Sequence, residues 1–424
     1  MRLATCKTLA AGLVALSAVA VAACGRSGGG ARAASASTGP AVKVVDIYSS
    51  LPLRGPSAAD AIPLEKGIRL ALEQAGDRAG AFAVRYISLD DSAGPAGWDP
   101  SQTAADARQA AADPKTVFYI GEFDDQASEV SMPILNVAGI PQVSPANTYV
   151  GLTTNETGAS GRVTPYAPSG TRTYLRIVPT DAVQAGADLL AMKQAGCTRV
   201  ALADDGEEYG VGLAKLVEGE RRSYGVDVVT GSALVPSAQV LRWFADMSTA
   251  KQPDCVLLAG VESDATVRMT KEVHLALPAA KIFAPAAMCT SAWTNPRDGG
   301  VPATIDPLIE CTAVTLSLSA YPGGKTFRSA YEAAYGVSNP SPYAILGYEA
   351  MSLGLSTIAS LGPNGDSKSA VLNALFSTTD RHSVLGTYGF DREGDTTLRS
   401  IGLYKVGATG SPEFVRTITP PRVS

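Results

Sequence analysis

The stretch 116–148 constrains the fold more than any other part of the chain. It opens with Thr116–Ile120, a β-branched and aromatic run without polar alternation, which is typical of a parallel strand covered on both faces. Gly121 interrupts this run, a segment of helical length follows, and Gly139 precedes a second apolar run at Ile140–Ser144. The pattern predicts a strand, a helix and a second strand, which is the repeating unit of an open α/β sheet.

Polar residues follow both predicted strands. Glu122–Asp125 comes after the first strand, and Ser144–Thr148 comes after the second. Ligands of open α/β sheets bind outside the carboxyl ends of the strands, so both segments are candidates for a binding site. Asp124 and Asp125 also precede the helix, where a side-chain oxygen can cap the first backbone N–H groups. Solvent-facing helix caps are therefore the alternative interpretation of these two aspartates.

The glycine and proline spacing of this stretch is similar to that of a known family. Ile120-Gly121, Gly139-Ile140-Pro141 and Ser144-Pro145 resemble the periplasmic substrate-binding proteins of the branched-chain amino acid type. These are the type I binding proteins of ABC importers. The Asp90-Asp91 turn and the Tyr209-Gly-x-Gly turn between a strand and a helix are also similar to that family.

The resemblance covers nearly all of residues 42–415 and implies the fold class. We expect an α/β protein with two doubly wound Rossmann-like lobes joined by a three-crossover hinge, as in type I periplasmic binding proteins. The predicted first lobe comprises 41–176 and 318–385, and the predicted second lobe comprises 177–317 and 386–415. Three crossings imply that the lobes close together around a ligand.

Four further segments carry finer predictions. Thr312–Leu318 is predicted to be a strand that crosses back to the first lobe, and Val384–Gly386 to begin the last crossover. Leu398–Lys405 is predicted to be the strand that closes the second lobe. Gly151–Gly170 is polar and longer than the usual connection. We interpret it as an insertion near the mouth of the cleft that forms a lid, with a disordered surface loop as the alternative.

The amino end has the features of an export signal. A basic start precedes Leu9–Ala23, an apolar run too short to span a membrane. The small residues before Cys24 resemble the cleavage box of bacterial lipoproteins, which implies that Cys24 becomes the lipidated first residue. An ordinary signal peptide with an incidental cysteine is the alternative. We predict a signal peptide over 1–23, a flexible tether over 24–40, and an extracytoplasmic protein anchored to the cell membrane by lipid.

The charge of the chain points away from nucleic acid. The formal net charge is −5, charged residues make up 18% of the chain, and no basic cluster is available to bind phosphates. We expect a monomer without a nucleic-acid partner. The resemblance implies two partners instead, which are a small polar solute and an ABC permease.

Four cysteines lie after the tether, at positions 197, 255, 289 and 311. An even number in an oxidising compartment predicts disulfides, and four cysteines allow three pairings. Cys197 and Cys255 each come just before a predicted strand, whereas Cys289 follows one strand and Cys311 begins another. These positions favour the pairs Cys197–Cys255 and Cys289–Cys311.

The sequence lacks the motifs of an enzyme. His274 falls in a helical pattern and His382 in a polar loop, and neither belongs to a metal or nucleophile motif. Gly210-Val-Gly212 lacks the third glycine of a dinucleotide fingerprint. We therefore predict a protein that is not an enzyme and that uses no metal and no cofactor.

The resemblance also implies a set of site residues. In that family, groups at the start of the helix after the third strand and after the Ser-Pro turn hold the ligand carboxylate. A carboxylate and an aromatic group of the second lobe hold the ligand ammonium. Carried over by position, the predicted ligand-binding residues are Asp60, Asp124, Asp125, Gln126, Asn147, Thr148, Tyr209 and Glu262.

Two departures from the family pattern change the expected ligand. Asp124 and Asp125 stand where a ligand carboxylate should rest, and one such repulsion at about 4 Å costs about 4 kcal/mol at an effective dielectric of about 20. Ala286 stands where the family has an acidic partner for the ammonium. We hypothesise a cationic or hydroxyl-rich, amino-acid-like solute held by these two aspartates and Glu262, with Tyr209 stacked on it. A core role is the alternative for Tyr209.

The predicted function is the capture of a small polar solute for an ABC importer, and three other functions stay open. The same fold can serve as a sensor that signals to a membrane partner, which the absence of a neighbouring permease gene would favour. A lipoprotein that binds a protein would show an exposed apolar patch and an empty cleft. An extracellular hydrolase would show turnover.

Overall fold

The computed structural model describes residues 42–94, 97–155, 164–229 and 250–422. The predicted signal peptide, Cys24 and the tether lie outside these residues, as does part of the predicted lid. None of the helices in the described part of the chain is long and apolar enough to cross a membrane.

The first sheet is built from the apolar runs of the amino-terminal part of the chain. Its strand order, over the described residues, is β2-β3-β1-β4-β5-β6, and all neighbouring pairs except β2–β3 are parallel. The strands β1 and β4 are almost wholly buried because helices cover both faces. The bounds are β1 Val44–Leu51, β2 Arg78–Ala79, β3 Phe82–Asp90, β4 Thr116–Ile120, β5 Gln142–Ser144, β6 Tyr174–Arg176, α1 Ala58–Gln74, α2 Pro100–Ala112 and α3 Asp125–Val137.

The second sheet has the order β15-β14-β11-β10-β9-β7-β8 within the described residues, where β14 is Ile401–Val406 and β15 is Pro412–Ile418. The strands from β7 to β11 pair in parallel, whereas β14 and β15 are antiparallel to their neighbours. The bounds are α4 Asp181–Gln194, β7 Arg199–Asp204, α5 Glu208–Tyr224, β8 Asp227–Val228, β9 Cys255–Ala259, α6 Asp264–Ala276, β10 Lys281–Ala284, α7 Ser291–Thr294 and β11 Ile309–Ala313. Together with the first sheet, this confirms the predicted α/β fold of two lobes.

The chain then returns to the first lobe before it ends in the second. The bounds are α8 Gly324–Tyr335, α9 Tyr343–Ser360, α10 Lys368–Phe376, β12 Arg381–Ser383, β13 Gly386–Tyr388, β14 Ile401–Val406 and β15 Pro412–Ile418. The hairpin β12–β13 stays with the first lobe, because the Tyr388 hydroxyl donates to Glu349 Oε1 on α9 at 2.8 Å. It spans the boundary predicted between 385 and 386.

The helices α1 and α9 pack backbone to backbone. A Cβ atom on Gly67 would lie 1.9 Å from the carbonyl oxygen of Ala344, and one on Gly347 would lie 2.0 Å from that of Leu64. Only glycine permits this approach, so these two residues fix the α1–α9 contact. The helix α9, which follows the second sheet's β11 in the chain, thereby becomes part of the first lobe.

Two predictions about the second lobe need correction. The strand predicted at Thr312–Leu318 is β11, which begins at Ile309 and stays in the second sheet between β10 and β14. The crossing to the first lobe therefore comes after it. The strand predicted at Leu398–Lys405 begins only at Ile401, and β15 follows it as a further strand that the pattern did not reveal.

Both disulfides favoured by the sequence are present. Cys197, just before β7, is bonded to Cys255, the first residue of β9, and these two strands are parallel neighbours. Cys289, which follows β10, is bonded to Cys311 in the adjacent β11. The pairing therefore follows from the order of the strands in the second sheet.

Candidate functional site

Asp125 is the side chain on which the candidate site is built. It begins α3 after the end of β4, and Thr148 and Tyr149 follow the Ser-Pro turn after β5. Since β4 and β5 are parallel neighbours, their carboxyl ends bring these residues together. The backbone N–H groups of Thr148 and Tyr149 donate to Asp125 Oδ1 at 3.0 and 3.2 Å. One carboxylate oxygen thus satisfies two neighbouring backbone donors.

The interpretation of Asp124 and Asp125 as solvent-facing caps is wrong. Asp124 occupies the N-cap position of α3, but its side chain makes no capping hydrogen bond. Its Oδ2 is buried and has no hydrogen-bond partner among the described residues. Burial, assisted by Asp125, raises the pKa of Asp124 to about 7. Burial also raises the pKa of Asp125 to about 6, against the opposing effects of Arg176 and the two amide hydrogen bonds.

A small cavity lies between the start of α3 in the first lobe and the start of α5 in the second. Its volume of about 10 Å³ is room for about one water molecule. The Tyr149 hydroxyl donates to Glu208 Oε1 at 3.2 Å, so the two lobes are in direct contact here. The lining residues are Asp125, Gln126, Glu129, Tyr149, Glu208 and Tyr209.

Buried acids of α4 lie behind Tyr209. Its hydroxyl donates to Gln184 Oε1 at 3.4 Å, and burial followed by the charges of Asp181 and Asp188 raises its pKa well above the usual range. Asp181 is 3% exposed and Asp188 is 0% exposed. Burial raises the pKa of Asp181 to about 7, with a contribution from Asp125, and that of Asp188 to about 8. In the described structure, Asp181 Oδ1 and Asp188 Oδ2 have no hydrogen-bond partner.

Arg176 donates hydrogen bonds to the loop that follows β5, the loop whose amides bind Asp125. It is fully buried at the end of β6, where its Nη1 donates to the carbonyl oxygen of Tyr149 at 2.8 Å. Its Nε donates to Asp395 Oδ1 at 2.7 Å, and its Nη2 donates to Thr153 Oγ1 at 2.6 Å. The guanidinium is thus engaged on all three nitrogens.

A further group of buried carboxyls lies at the ends of β3 and β4. Asp91 is 0% exposed, and neither of its oxygens has a hydrogen-bond partner in the described residues. Burial, followed by the charges of Asp124 and Asp106, raises the pKa of Asp91 to about 8. Glu122 is also fully buried, accepts a hydrogen bond from the Tyr119 hydroxyl at 2.9 Å, and has its pKa raised well above the usual range by burial and then by Asp91. This edge of the first lobe is strongly acidic.

The structure brings only part of the predicted ligand-binding set together. Asn147 is buried and packs away from the cavity, because its Oδ1 accepts hydrogen bonds from Ser128 Oγ at 2.5 Å and from the Tyr174 hydroxyl at 2.9 Å. Thr148 acts through its backbone. The predicted residues that do line the cavity are Asp125, Gln126 and Tyr209.

Asp60, Asp124 and Glu262 lie outside the cavity lining. The Asp60 carboxylate accepts a hydrogen bond from Ser341 Oγ at 2.5 Å. The backbone N–H of Glu262 donates to the carbonyl oxygen of Ala287 at 3.0 Å. Their roles as ligand contacts therefore remain predictions.

Three lining residues are absent from the predicted set. Glu129 lies four residues after Asp125 on α3, so helical periodicity alone places both on one face. Glu208 directly precedes Tyr209 at the start of α5. Tyr149 comes four residues after Pro145 of the Ser-Pro turn. No feature of the sequence indicates that it contacts the second lobe.

The described residues do not offer a metal site. The group of metal-ligating residue types that the structure brings together there is Cys197, Asp254 and Cys255. Both cysteines are joined in a disulfide, so they present no thiolate to a metal.

Comparison with known proteins confirms the resemblance seen in the sequence. Residues 49–411 match the family model described as periplasmic binding protein. No curated protein matches the chain by sequence. Proteins of the matched family bind solutes and are not enzymes, in agreement with the prediction for this chain.

Solved structures share the fold. A leucine-binding protein of Thermotoga maritima is 21% identical with a TM-score of 0.64, over 89% of this chain and 99% of that one. An ABC transporter substrate-binding protein of Desulfitobacterium hafniense, in complex with leucine, is 18% identical with a TM-score of 0.70, over 88% and 100%. A solute-binding protein of an ABC transporter of Rhodopseudomonas palustris, in complex with p-hydroxybenzoic acid, is 16% identical with a TM-score of 0.67, over 90% and 98%. The chain belongs to the periplasmic binding protein family, with the type I fold of the branched-chain amino acid binding proteins.

Proposed function

We propose that this protein is a lipid-anchored, extracytoplasmic binding protein that captures a small polar solute between its lobes and delivers it to an ABC permease. The observation that carries the proposal is the cavity between α3 and α5, across which the Tyr149 hydroxyl reaches Glu208. A solute bound there contacts both lobes and so favours the closed state over the open one. The protein acts as a monomer and needs no cofactor.

The size of the cavity supports a hinged mechanism. At about 10 Å³ it holds no solute larger than water, so the lobes separate to admit one. The chain passes between the lobes at residues 177–180, 314–317 and 391–400, and these short connections supply the hinge. Binding therefore converts an open form into a closed one.

The lining of the cavity supports a cationic or hydroxyl-rich solute. Asp125, Glu129 and Glu208 contribute carboxylates, and Gln126 contributes an amide. Carboxylates accept short, strong hydrogen bonds from ammonium, guanidinium and hydroxyl donors. Two of the related structures are complexes with leucine and with p-hydroxybenzoic acid, which both carry a carboxylate, whereas no cation of the described residues lines this cavity.

The test is thermal unfolding of the chain that starts after Cys24, scanned against amino acids, polyamines, sugars, nucleosides and short peptides. A ligand present at about 100 times its dissociation constant stabilises the folded state by about 2.7 kcal/mol, which is a measurable shift. No shift with any solute in the panel would contradict solute capture and favour a protein partner.

Two matched variants locate the site once a solute is found. Glu208→Gln should weaken binding about tenfold, because it removes a carboxylate that lines the cavity. Glu207→Gln changes the preceding, exposed residue, which is outside the lining, and should leave the affinity unchanged. Equal effects of the two variants would place the solute elsewhere.

The anchor and the transport role have their own test. Cys24→Ser should move the protein from the membrane fraction to the medium or the periplasm, because the lipid is the membrane attachment. Uptake of the labelled solute should then fall although its affinity for the protein is unchanged. Normal uptake in cells that lack the neighbouring permease would favour the sensor function.

A further inference from the structure

We propose that the solute is an organic amine or guanidine without a free carboxylate, because Asp125 already occupies the backbone amides at the end of β5 as an internal anion. This inference rests on the function proposed above and narrows the ligand class of the same site. It distinguishes the ligand from an α-amino acid, which carries both an ammonium and a carboxylate.

The first step concerns the amides of Thr148 and Tyr149. Two consecutive N–H groups that converge on one point form an anion-binding concavity. Asp125 Oδ1 fills this point at 3.0 and 3.2 Å. Asp125 is tethered beside the amides, so its effective concentration exceeds that of any free carboxylate. A ligand carboxylate would have to displace the Asp125 carboxylate from these two amides and would then be repelled by its negative charge nearby.

The second step concerns the charges that face the cavity from each element around it. From α3 these are Asp125 and Glu129, and from α5 Glu208. Asp181 of α4 does not line the cavity but lies behind it, where its charge acts on Tyr209 and its buried Oδ1 has no partner among the described residues. No cation of the described residues lines the cavity. The described lining of the cavity therefore carries acidic side chains and no basic one.

The third step concerns Arg176, whose charge also acts on Asp125. Its guanidinium is fully buried and donates to Asp395, Thr153 and the carbonyl of Tyr149. Because all three nitrogens of the guanidinium already donate to these acceptors, Arg176 is unavailable to a ligand carboxylate. Arg176 fixes the loop whose amides Asp125 occupies.

The fourth step concerns what the remaining groups recognise. With Oδ1 of Asp125 bonded to the amides, Oδ2 is left for a ligand in the cavity that Asp125 lines. An ammonium or guanidinium brings several donors to this oxygen and to the carboxylates of Glu129 and Glu208. Each of these two carboxylates also accepts a hydrogen bond from a tyrosine hydroxyl, Glu129 from Tyr166 at 2.8 Å and Glu208 from Tyr149 at 3.2 Å. Tyr149 and Tyr209 line the same cavity, and aromatic side chains attract cations.

The experiment compares pairs of compounds that differ only by the carboxylate. The probes are agmatine with arginine, tyramine with tyrosine, and 3-methylbutylamine with leucine, titrated into the protein by calorimetry. We expect at least one of the amines to bind, and to bind at least about tenfold more tightly than its amino acid, which is the effect of one charge-assisted hydrogen bond.

Two variants test the role of Asp125 itself. Asp125→Ser frees the amides and removes the charge, so it should weaken amine binding about tenfold or more and raise the affinity for the matching amino acid. Asp181→Asn leaves the amides occupied, so it should weaken amine binding without any gain for the amino acid. If Asp125→Ser does not fold, the compound pairs and Asp181→Asn still decide the question.

The outcomes separate this inference from the proposed function. An amino acid that binds the unmodified protein as tightly as its amine overturns the inference, and so does a solute panel in which only sugars or nucleosides bind. In both cases solute capture stands. If no solute binds, both proposals fail together.

Discussion

The Nε atom of Arg176 lies 2.7 Å from Oδ1 of Asp395, although 219 residues separate the two in sequence. Arg176 ends β6, where the chain first leaves the first lobe, and Asp395 lies where it leaves that lobe for the last time. The backbone N–H of Arg176 also donates to the carbonyl oxygen of Gly394 at 3.0 Å. The pair therefore ties two of the three crossings together beside the candidate site.

Arg176→Met should lower the free energy of unfolding by about 3–5 kcal/mol, because it leaves the buried carboxyl of Asp395 without its cation. Urea unfolding measures this change. Adding Asp395→Asn should restore at least about 1 kcal/mol, because the unpaired charge is then gone. A double variant whose loss equals the sum of the two single losses would show that the pair is not coupled.

Asp188 should make the protein less stable as the pH rises. Burial raises its pKa to about 8, whereas an unfolded chain has an aspartate pKa of about 3.9. Between these values the folded state binds more protons than the unfolded state, so the free energy of unfolding falls as the pH rises from about 4 to about 8. Asp188→Asn should therefore stabilise the protein at about pH 8 by on the order of 5 kcal/mol, and by less than about 1 kcal/mol at about pH 4.

The control for this prediction is Asp227→Asn, on the exposed start of β8, which should change little at either pH. Denaturant unfolding at the two pH values measures both variants. A gain from Asp188→Asn of the same size at both values would come from packing and contradict the titration argument.

Binding of an amine should strengthen as the pH rises from about 5 to about 8. The pKa of Asp125 is raised to about 6 and that of Asp124 to about 7, in each case mainly by burial, so both lose their protons in this window. A cationic ligand binds the ionised carboxylates better, and its own amine stays protonated throughout. Calorimetric titration across this window should show the rise, and Asp125→Asn should make the rise smaller by removing one of the two titrating carboxyls. An affinity that falls with rising pH would exclude a cation.

The two disulfides should differ in their contribution to stability. Cys197–Cys255 closes 58 residues and Cys289–Cys311 closes 22. The longer loop has more unfolded-state entropy to lose, by about 0.9 kcal/mol on the loop-closure relation. Replacement of either pair by serine should cost about 2–4 kcal/mol, with the larger loss for the Cys197–Cys255 pair. Thermal unfolding of the two double variants compares them directly, and the reverse order would contradict the loop argument.

Two glycines of α5 should respond oppositely to alanine. A Cβ atom on Gly210 would lie 2.3 Å from Asp205 Oδ1 and 2.5 Å from the carbonyl oxygen of Ala259, whereas one on Gly219 would meet nothing within 4 Å. Gly210→Ala should destabilise the protein by about 1–3 kcal/mol and displace the neighbouring Tyr209. Gly219→Ala should stabilise it by about 0.5–1 kcal/mol. Thermal unfolding checks both, and a tolerated Gly210→Ala would show that the α5 start adjusts freely.

The fold was largely predictable because buried parallel strands are apolar runs. Thr116–Ile120, for example, forms a strand with the predicted bounds. The start of β11 was missed because Glu310 interrupts its apolar run. The structure shows that Glu310 faces Lys405 on β14, with 3.0 Å between the charged atoms, and a local pattern does not reveal such a cross-strand partner.

The candidate site was predictable only in outline. The positions of Asp125 and Tyr209 at strand ends follow from the α/β pattern, but the amides that Asp125 binds lie more than twenty residues away in sequence. Asp181 and Asp188 lie seven residues apart in α4, which places them on one helical face. Charged residues normally mark the exposed face of a helix, so their burial became evident only once the second sheet was seen to pack against α4.

The glycine contact between α1 and α9 joins two helices that are synthesised far apart in time, because a chain is made from its amino end. The surface of α1 around Gly67 is completed by α9, which begins only at Tyr343. All strands from β7 to β11 are therefore synthesised before the first lobe can close its core. Until then the apolar face of α1 around Gly67 lacks its helical partner, and transiently exposed apolar surface of this kind makes a folding intermediate prone to aggregate.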